Sequence, residues 1–220
     1  MWKNFSAKPP GSILAVGFEH VGSNYCIDTT FACGLAYCDH RIGTWWSVTL
    51  LKKPVFTDYE ADPDDLPRIG RNIALNGLLW KAFNHGLPQD KFVSEIKRYV
   101  DKAIEQAGGI KNLTVIAYMH ADLARLGQLL SRPIDCLLNE RKIPLVIVDL
   151  YRGILRNPDI EPSEMEIIIW RNLQNTGNII LPAFDGDPGN NVMRTAIVYW
   201  HLAMELSRPG ASYLVDALDQ

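Results

Sequence analysis

Cysteine is scarce, with four in 220 residues. That excludes a disulfide scaffold, which belongs to short, cysteine-dense secreted chains. No two cysteines form a C-x-x-C pair, so paired zinc-ligand spacing is missing as well. Cys26, Cys33 and Cys38 lie near His20 and His40 in sequence, and they read as small apolar residues on strands. Charge of one sign is also lacking. A net charge of −3 and a pI of about 5.9 exclude a polybasic tail that grips nucleic acid by bulk charge. No run approaches the roughly 18 apolar residues of a membrane span. The opening MWKNFSAKPPGS is not followed by a signal-type core with a small-residue cleavage site. An intracellular chain, cytoplasmic or nuclear, with no membrane attachment is expected. The motifs G-x-G-x-x-G, Walker A, G-x-S-x-G and H-E-x-x-H are all missing. This removes nucleotide-cofactor enzymes, elbow-type hydrolases and zinc proteases.

The patterning that is present predicts one α/β domain over 12–220, preceded by an irregular arm over 1–11 that ends in Pro9-Pro10-Gly11. Apolar runs at 13–18, 30–38 and 44–51 read as three consecutive antiparallel strands. Asp39 to Gly43 reads as the hairpin turn between the last two. Residues 54–68 are acidic and broken by proline, the composition of a solvated loop. Phe92, Ile96, Tyr99, Val100, Ala103 and Ile104 share one face of a helix that Gly108-Gly109 ends. Residues 113–119 and 145–150 read as strands, the second as a doubly buried parallel one. Helices are expected over 122–130 and 164–173, and a last helix is expected after Asn190 or Asn191 as its cap. Its apolar face is Val192, Ala196, Tyr199, Ala203 and Leu206. The order β-β-β-α-β-α-β-α-α predicts a mixed sheet with helices on its faces.

Several residues have plain structural readings. On a strand, Trp45 and Trp46 must face opposite ways; the outward one is placed to stack a base, cover a helix or meet a partner. Arg125, Arg132, Arg141, Lys142, Arg152 and Arg156 make the middle of the chain basic. They read as a solvated surface or a phosphate track. His85 and His201 carry no assigned chemistry.

Five stretches together resemble the DEDDh branch of the DnaQ-like 3′–5′ exonucleases, and most of all its fungal members. The resemblance runs from Ser12 to Ser207 as a spaced pattern. A first strand ending in D-x-E corresponds to Ile13-Leu14-Ala15-Val16-Gly17-Phe18-Glu19. The second strand corresponds to Thr30 through Asp39. The strand-turn-Asp-helix motif corresponds to Val115-Ile116-Ala117-Tyr118-Met119-His120-Ala121-Asp122-Leu123. A further apolar strand followed by Asp matches Ile147-Val148-Asp149-Leu150-Tyr151-Arg152. The fungal H-N-A-G-N-D-A-x-x-T corresponds to Gly186-Asp187-Pro188-Gly189-Asn190-Asn191-Val192-Met193-Arg194-Thr195. An Argonaute PIWI domain also starts with a strand ending in G-x-D, but no clear R-D-G follows the fourth strand here.

The resemblance implies a ribonuclease H-like mixed sheet, three antiparallel strands followed by β/α units, flanked by helices. It also implies a site where four carboxylates hold two divalent metals and a histidine serves as general base. Here the first aspartate position is Gly17, the base position is Gly186 and the last aspartate position is Asn191. Only Glu19 and Asp122 keep carboxylates. The expectation is a degenerate site that does not cleave, with no cofactor. The chain would then act as a binding module for single-stranded nucleic acid or for a protein. The alternative is an active, Mg- or Mn-dependent 3′–5′ exonuclease with a rearranged site, in which Glu19 and Asp122 bind metal weakly and Asp187 substitutes for a lost ligand. For Asp122, a helix-start role competes with that of ligand. Restoring Asp at 17, His at 186 and Asp at 191 is expected to improve metal binding.

Overall fold

A computed structural model describes residues 11–20, 30–39, 41–54, 73–117, 120–130, 141–142 and 186–206. The expected strand at 145–150, the helix at 164–173, most of the acidic loop and residues 1–10 of the arm lie outside the described residues. So do Cys26, Cys136, Arg132, Arg152 and Arg156.

Strands β1 (Ser12–His20), β2 (Thr30–Asp39) and β3 (Thr44–Leu51) follow one another. Helices α1 (Ile73–His85) and α2 (Gln89–Gln106) come next, then a 3-10 turn over Ile110–Asn112 and strand β4 (Leu113–Ala117). Helix α3 (His120–Leu130), the short β5 (Arg141–Lys142) and α4 (Pro188–Leu206) complete the described elements. The sheet order is β3-β2-β1-β4-β5. β1–β2 and β2–β3 are antiparallel, and β1–β4 and β4–β5 are parallel. The three-strand meander and the crossover to β4 are as expected. Helix α1 was not anticipated: it buries Leu78, Leu79 and Ala82 with Phe83 packed beside them, but the mid-helix Gly77 and the exposed Trp80 interrupt that pattern in the sequence.

The pleat divides the strand residues between two layers. Leu14, Val16, Phe18, Cys33, Leu35, Tyr37, Leu113, Val115 and Ala117 face α2 and α3. Ile13, Ala15, Ala36, Cys38 and Ile116 face α4, which covers them with Val192, Met193, Ala196, Ile197 and Tyr199. β2 is buried along its whole length, as a strand covered on both faces must be. Cys33 and Cys38 are free thiols in different layers, so they cannot join one metal cluster and serve as core residues.

Helix α2 buries Phe92, Ile96, Val100 and Ala103, with Tyr99 and Ile104 packed at the margin. Burying each large side chain contributes about 1.5–3 kcal/mol. Its end is set by glycine. Gly108 and Gly109 have φ of 73° and 120°, and their N–H groups donate to the carbonyls of Glu105 and Ile104, satisfying orphan acceptors of the last turn. The hairpin pairs Asp39 with Thr44, and Gly43 supplies the positive φ of 66°. No described helix is long and apolar enough to cross a membrane.

Candidate functional site

The site expected from the motifs lies at the C-terminal end of β1. Gly17 pairs with Gly34 of β2, and Phe18 pairs with Cys33. By strand alternation Glu19 shares the Gly17 face; it is half-buried and pairs with Ala32. The register shifts between Glu19 and His20, a bulge of the kind that ends regular pairing.

Asp122 sits in the first turn of α3 and is buried at 5% exposure. An acid there is favoured by the helix dipole. Helix α3 packs on the Phe18 face of the sheet through Leu123, Leu126 and Leu129. Burial pushes the Cys33 thiol well above its ordinary value, and the Asp122 carboxylate adds to the rise while Arg125 opposes it. Asp122 and Arg125 therefore lie close beneath the Phe18–Cys33 pair. The Arg125 guanidinium carbon stands 5.7 Å from the centre of the Phe18 ring, and the residue is only 2% exposed. This corrects the sequence reading of Arg125 as part of a solvated or phosphate-tracking surface. A long charged side chain on an otherwise leucine-rich face is the signal that could have shown it.

Helix α4 reaches the same end of β1 from the other face. Gly186 precedes it with φ of 78°. Asp187, not Asn190 or Asn191, is its cap: Asp187 Oδ1 accepts from the N–H groups of Gly189 at 2.8 Å and Asn190 at 3.2 Å. The Thr49 hydroxyl donates to the same oxygen at 2.5 Å, and Thr49 Oγ1 accepts from Gly189 N–H at 2.9 Å. Pro188 then occupies the first helical position, where its missing N–H costs nothing. The D-P pair was the overlooked cap signature. Asn191 is half-buried in the first turn, and its N–H donates to the Asp187 carbonyl at 2.9 Å.

The N-terminal turns of α3 and α4 thus flank one end of the sheet from opposite faces, with Glu19 at the strand end. Two bridged divalent cations require several convergent carboxylates. Among the described residues no group of three or more His, Cys, Asp or Glu is placed to hold a metal. Gly17 carries no donor, and one Asp187 oxygen is committed to the cap. The described residues do not fit a two-metal group.

The strand order, the parallel β1–β4 pair and the helices on both faces define a mixed α/β, ribonuclease H-like fold. No family model matches the chain, and no curated protein matches it. Solved structures do. The chain is similar to the crystal structure of cell-death related nuclease 4, with a TM-score of 0.57 over 88% of this chain at 11% identity. It spans 64% of the length of that nuclease. At this identity the likeness shows the fold alone.

Proposed function

We propose that this chain is a non-cleaving ribonuclease H-like module that works by binding single-stranded nucleic acid or a protein partner. One observation carries the reading. Of the residues at the motif positions, Glu19 and Asp122 alone present carboxylates, and one oxygen of the neighbouring Asp187 is committed to capping α4. The degenerate DEDDh pattern and its likeness to the fungal branch rest on the motif residues quoted above. The likeness to a solved nuclease supports the scaffold. Neither Mg²⁺ nor Mn²⁺ has a complete donor set in the described part of this site, so no step is assigned to a metal.

The test is an exonuclease assay on single-stranded DNA and RNA with Mg²⁺ or Mn²⁺. The unmodified chain is compared with a Glu19→Ala, Asp122→Ala double variant at matched purity. Equal background in both supports the proposal. Degradation that disappears in the double variant overturns it and establishes the alternative, an exonuclease with a rearranged site. Binding is measured in parallel on the same strands without cleavage.

A further inference from the structure

The lost carboxylate position on β1 is half-buried and is crowded from one side by α4. A Cβ built on Gly17 would stand 2.9 Å from Val192 Cγ1. Val192 is buried on α4, and a β-branched side chain in a helix has essentially one rotamer to occupy. Across the sheet, a Cβ on Gly34 would fall inside the backbone of Pro188 and Gly189. A Cβ on Gly189 would in turn stand 2.8 Å from Thr49 Oγ1 and 3.0 Å from the Val48 carbonyl. Three glycines, one on each of β1, β2 and α4, therefore let the helix start touch the sheet backbone. Asp187 and Thr49 fasten it there through the hydrogen bonds already described. The general-base position has a glycine backbone: Gly186 has φ of 78°, in the left-handed region that glycine enters at least cost.

We propose that the first turn of α4 is a built-in plug over the strand-one ligand position, admitted by Gly17, Gly34 and Gly189 and locked by the Asp187–Thr49 clasp. This deepens the non-cleaving reading and rests on it. It also revises an expectation. Placing Asp at 17 and His at 186 does not rebuild a metal site, because the first displaces Val192 and the second puts a side chain on a backbone that glycine enters at least cost.

The test is a double-mutant cycle read by thermal unfolding, joined to Mn²⁺ titration by electron paramagnetic resonance. Gly17→Ala is expected to lower Tm by about 2–12 °C, from the usual penalty of overpacking. Val192→Ala lowers Tm by leaving a cavity. The Gly17→Ala, Val192→Ala double variant is expected to lose clearly less than the sum of the two, since the truncated side chain makes room for the added methyl. Gly17→Asp is expected to bind Mn²⁺ no more tightly than the unmodified chain. Additive losses in the cycle overturn the plug, as does a Gly17→Asp variant that gains at least tenfold in Mn²⁺ affinity with Tm unchanged. Nuclease activity of the unmodified chain that depends on Glu19 and Asp122 removes the non-cleaving reading instead, with the packing cycle left intact.

Discussion

Thr49 and Asp187, 138 residues apart in sequence, are joined by a hydrogen bond of 2.5 Å from hydroxyl to carboxylate. The pair ties the edge strand β3 to the start of α4 and so decides where that helix sits. Removing the carboxylate by Asp187→Ala leaves the Gly189 and Asn190 N–H groups without their cap. A stability loss of about 1–2 kcal/mol is expected. Asp187→Asn keeps an acceptor at the same place and should lose about half as much or less by the same rule. Denaturant midpoints of the two variants check this.

Acid sensitivity is expected from the other end of the sheet. Asp39 is fully buried and accepts from Ser12 Oγ at 2.5 Å and from Arg41 Nη2 at 2.6 Å and Nε at 3.1 Å. Burial alone would raise its carboxyl, but the hydrogen bonds from Arg41 and Ser12, with the Arg41 charge, outweigh that and hold it at about 2. The folded value is thus below the unfolded one. Its stabilising contribution is full above about pH 4 and is lost as pH falls through about 2. Arg41→Ala should flatten the pH dependence of stability in that window. Unfolding measured across it, with and without Arg41, tests the sign.

The two neighbouring tryptophans should respond differently to truncation. Trp46 stacks on Tyr37 with ring centres 5.7 Å apart, meets Tyr99 at 5.5 Å and lies 4.9 Å below the Lys102 ammonium. Its indole N–H donates to Gln106 Oε1 at 2.7 Å. Trp46→Ala is expected to cost about 2–4 kcal/mol, since it removes packing and leaves an acceptor behind. Trp45 is 40% exposed, and Trp45→Ser should stay within about 0.5 kcal/mol. Chemical denaturation separates the two.

Thiol chemistry gives a third contrast. Burial pushes Cys38 up to about 12, with the Asp39 charge adding to it, and pushes Cys33 up as well. Neither presents a thiolate at neutral pH, and both are fully enclosed. In a Cys26→Ser, Cys136→Ser background, both remaining thiols should react with a disulfide reagent only as fast as the chain opens. Rapid labelling under native conditions would contradict the assigned placement.

Much of the fold was legible before any coordinates. β3 spans Thr44–Leu51, as its β-branched and aromatic run required. α2 buries Phe92, Ile96, Val100 and Ala103 at the spacing read from the chain. Trp45 and Trp46 divide between outside and inside because a strand leaves them no other choice. Helix α1 escaped because Gly77 in its middle and the exposed Trp80 obscure the stripe of Leu78, Leu79, Ala82 and Phe83. Arg125 was misread because charge is a good guide to exposure except where a long side chain is buried against an aromatic ring, as it is on Phe18.

The residues Gly17, Glu19, Asp122, Gly186 and Asn191 could be placed on the motif pattern from the sequence through the resemblance it carries. Local periodicity determined the strands and helices, because their repeats are written in nearest neighbours, while the site positions come from the resemblance to the DEDDh pattern. What surrounds these positions was decided only by the tertiary structure. That Gly17 faces Val192, that Gly34 lies under Pro188, and that Asp187 caps α4 while gripping Thr49 are contacts between distant segments. Their reason is steric: a helix approaches a sheet backbone this closely only where no Cβ intervenes, and no pattern within either segment records which partner lies across the gap.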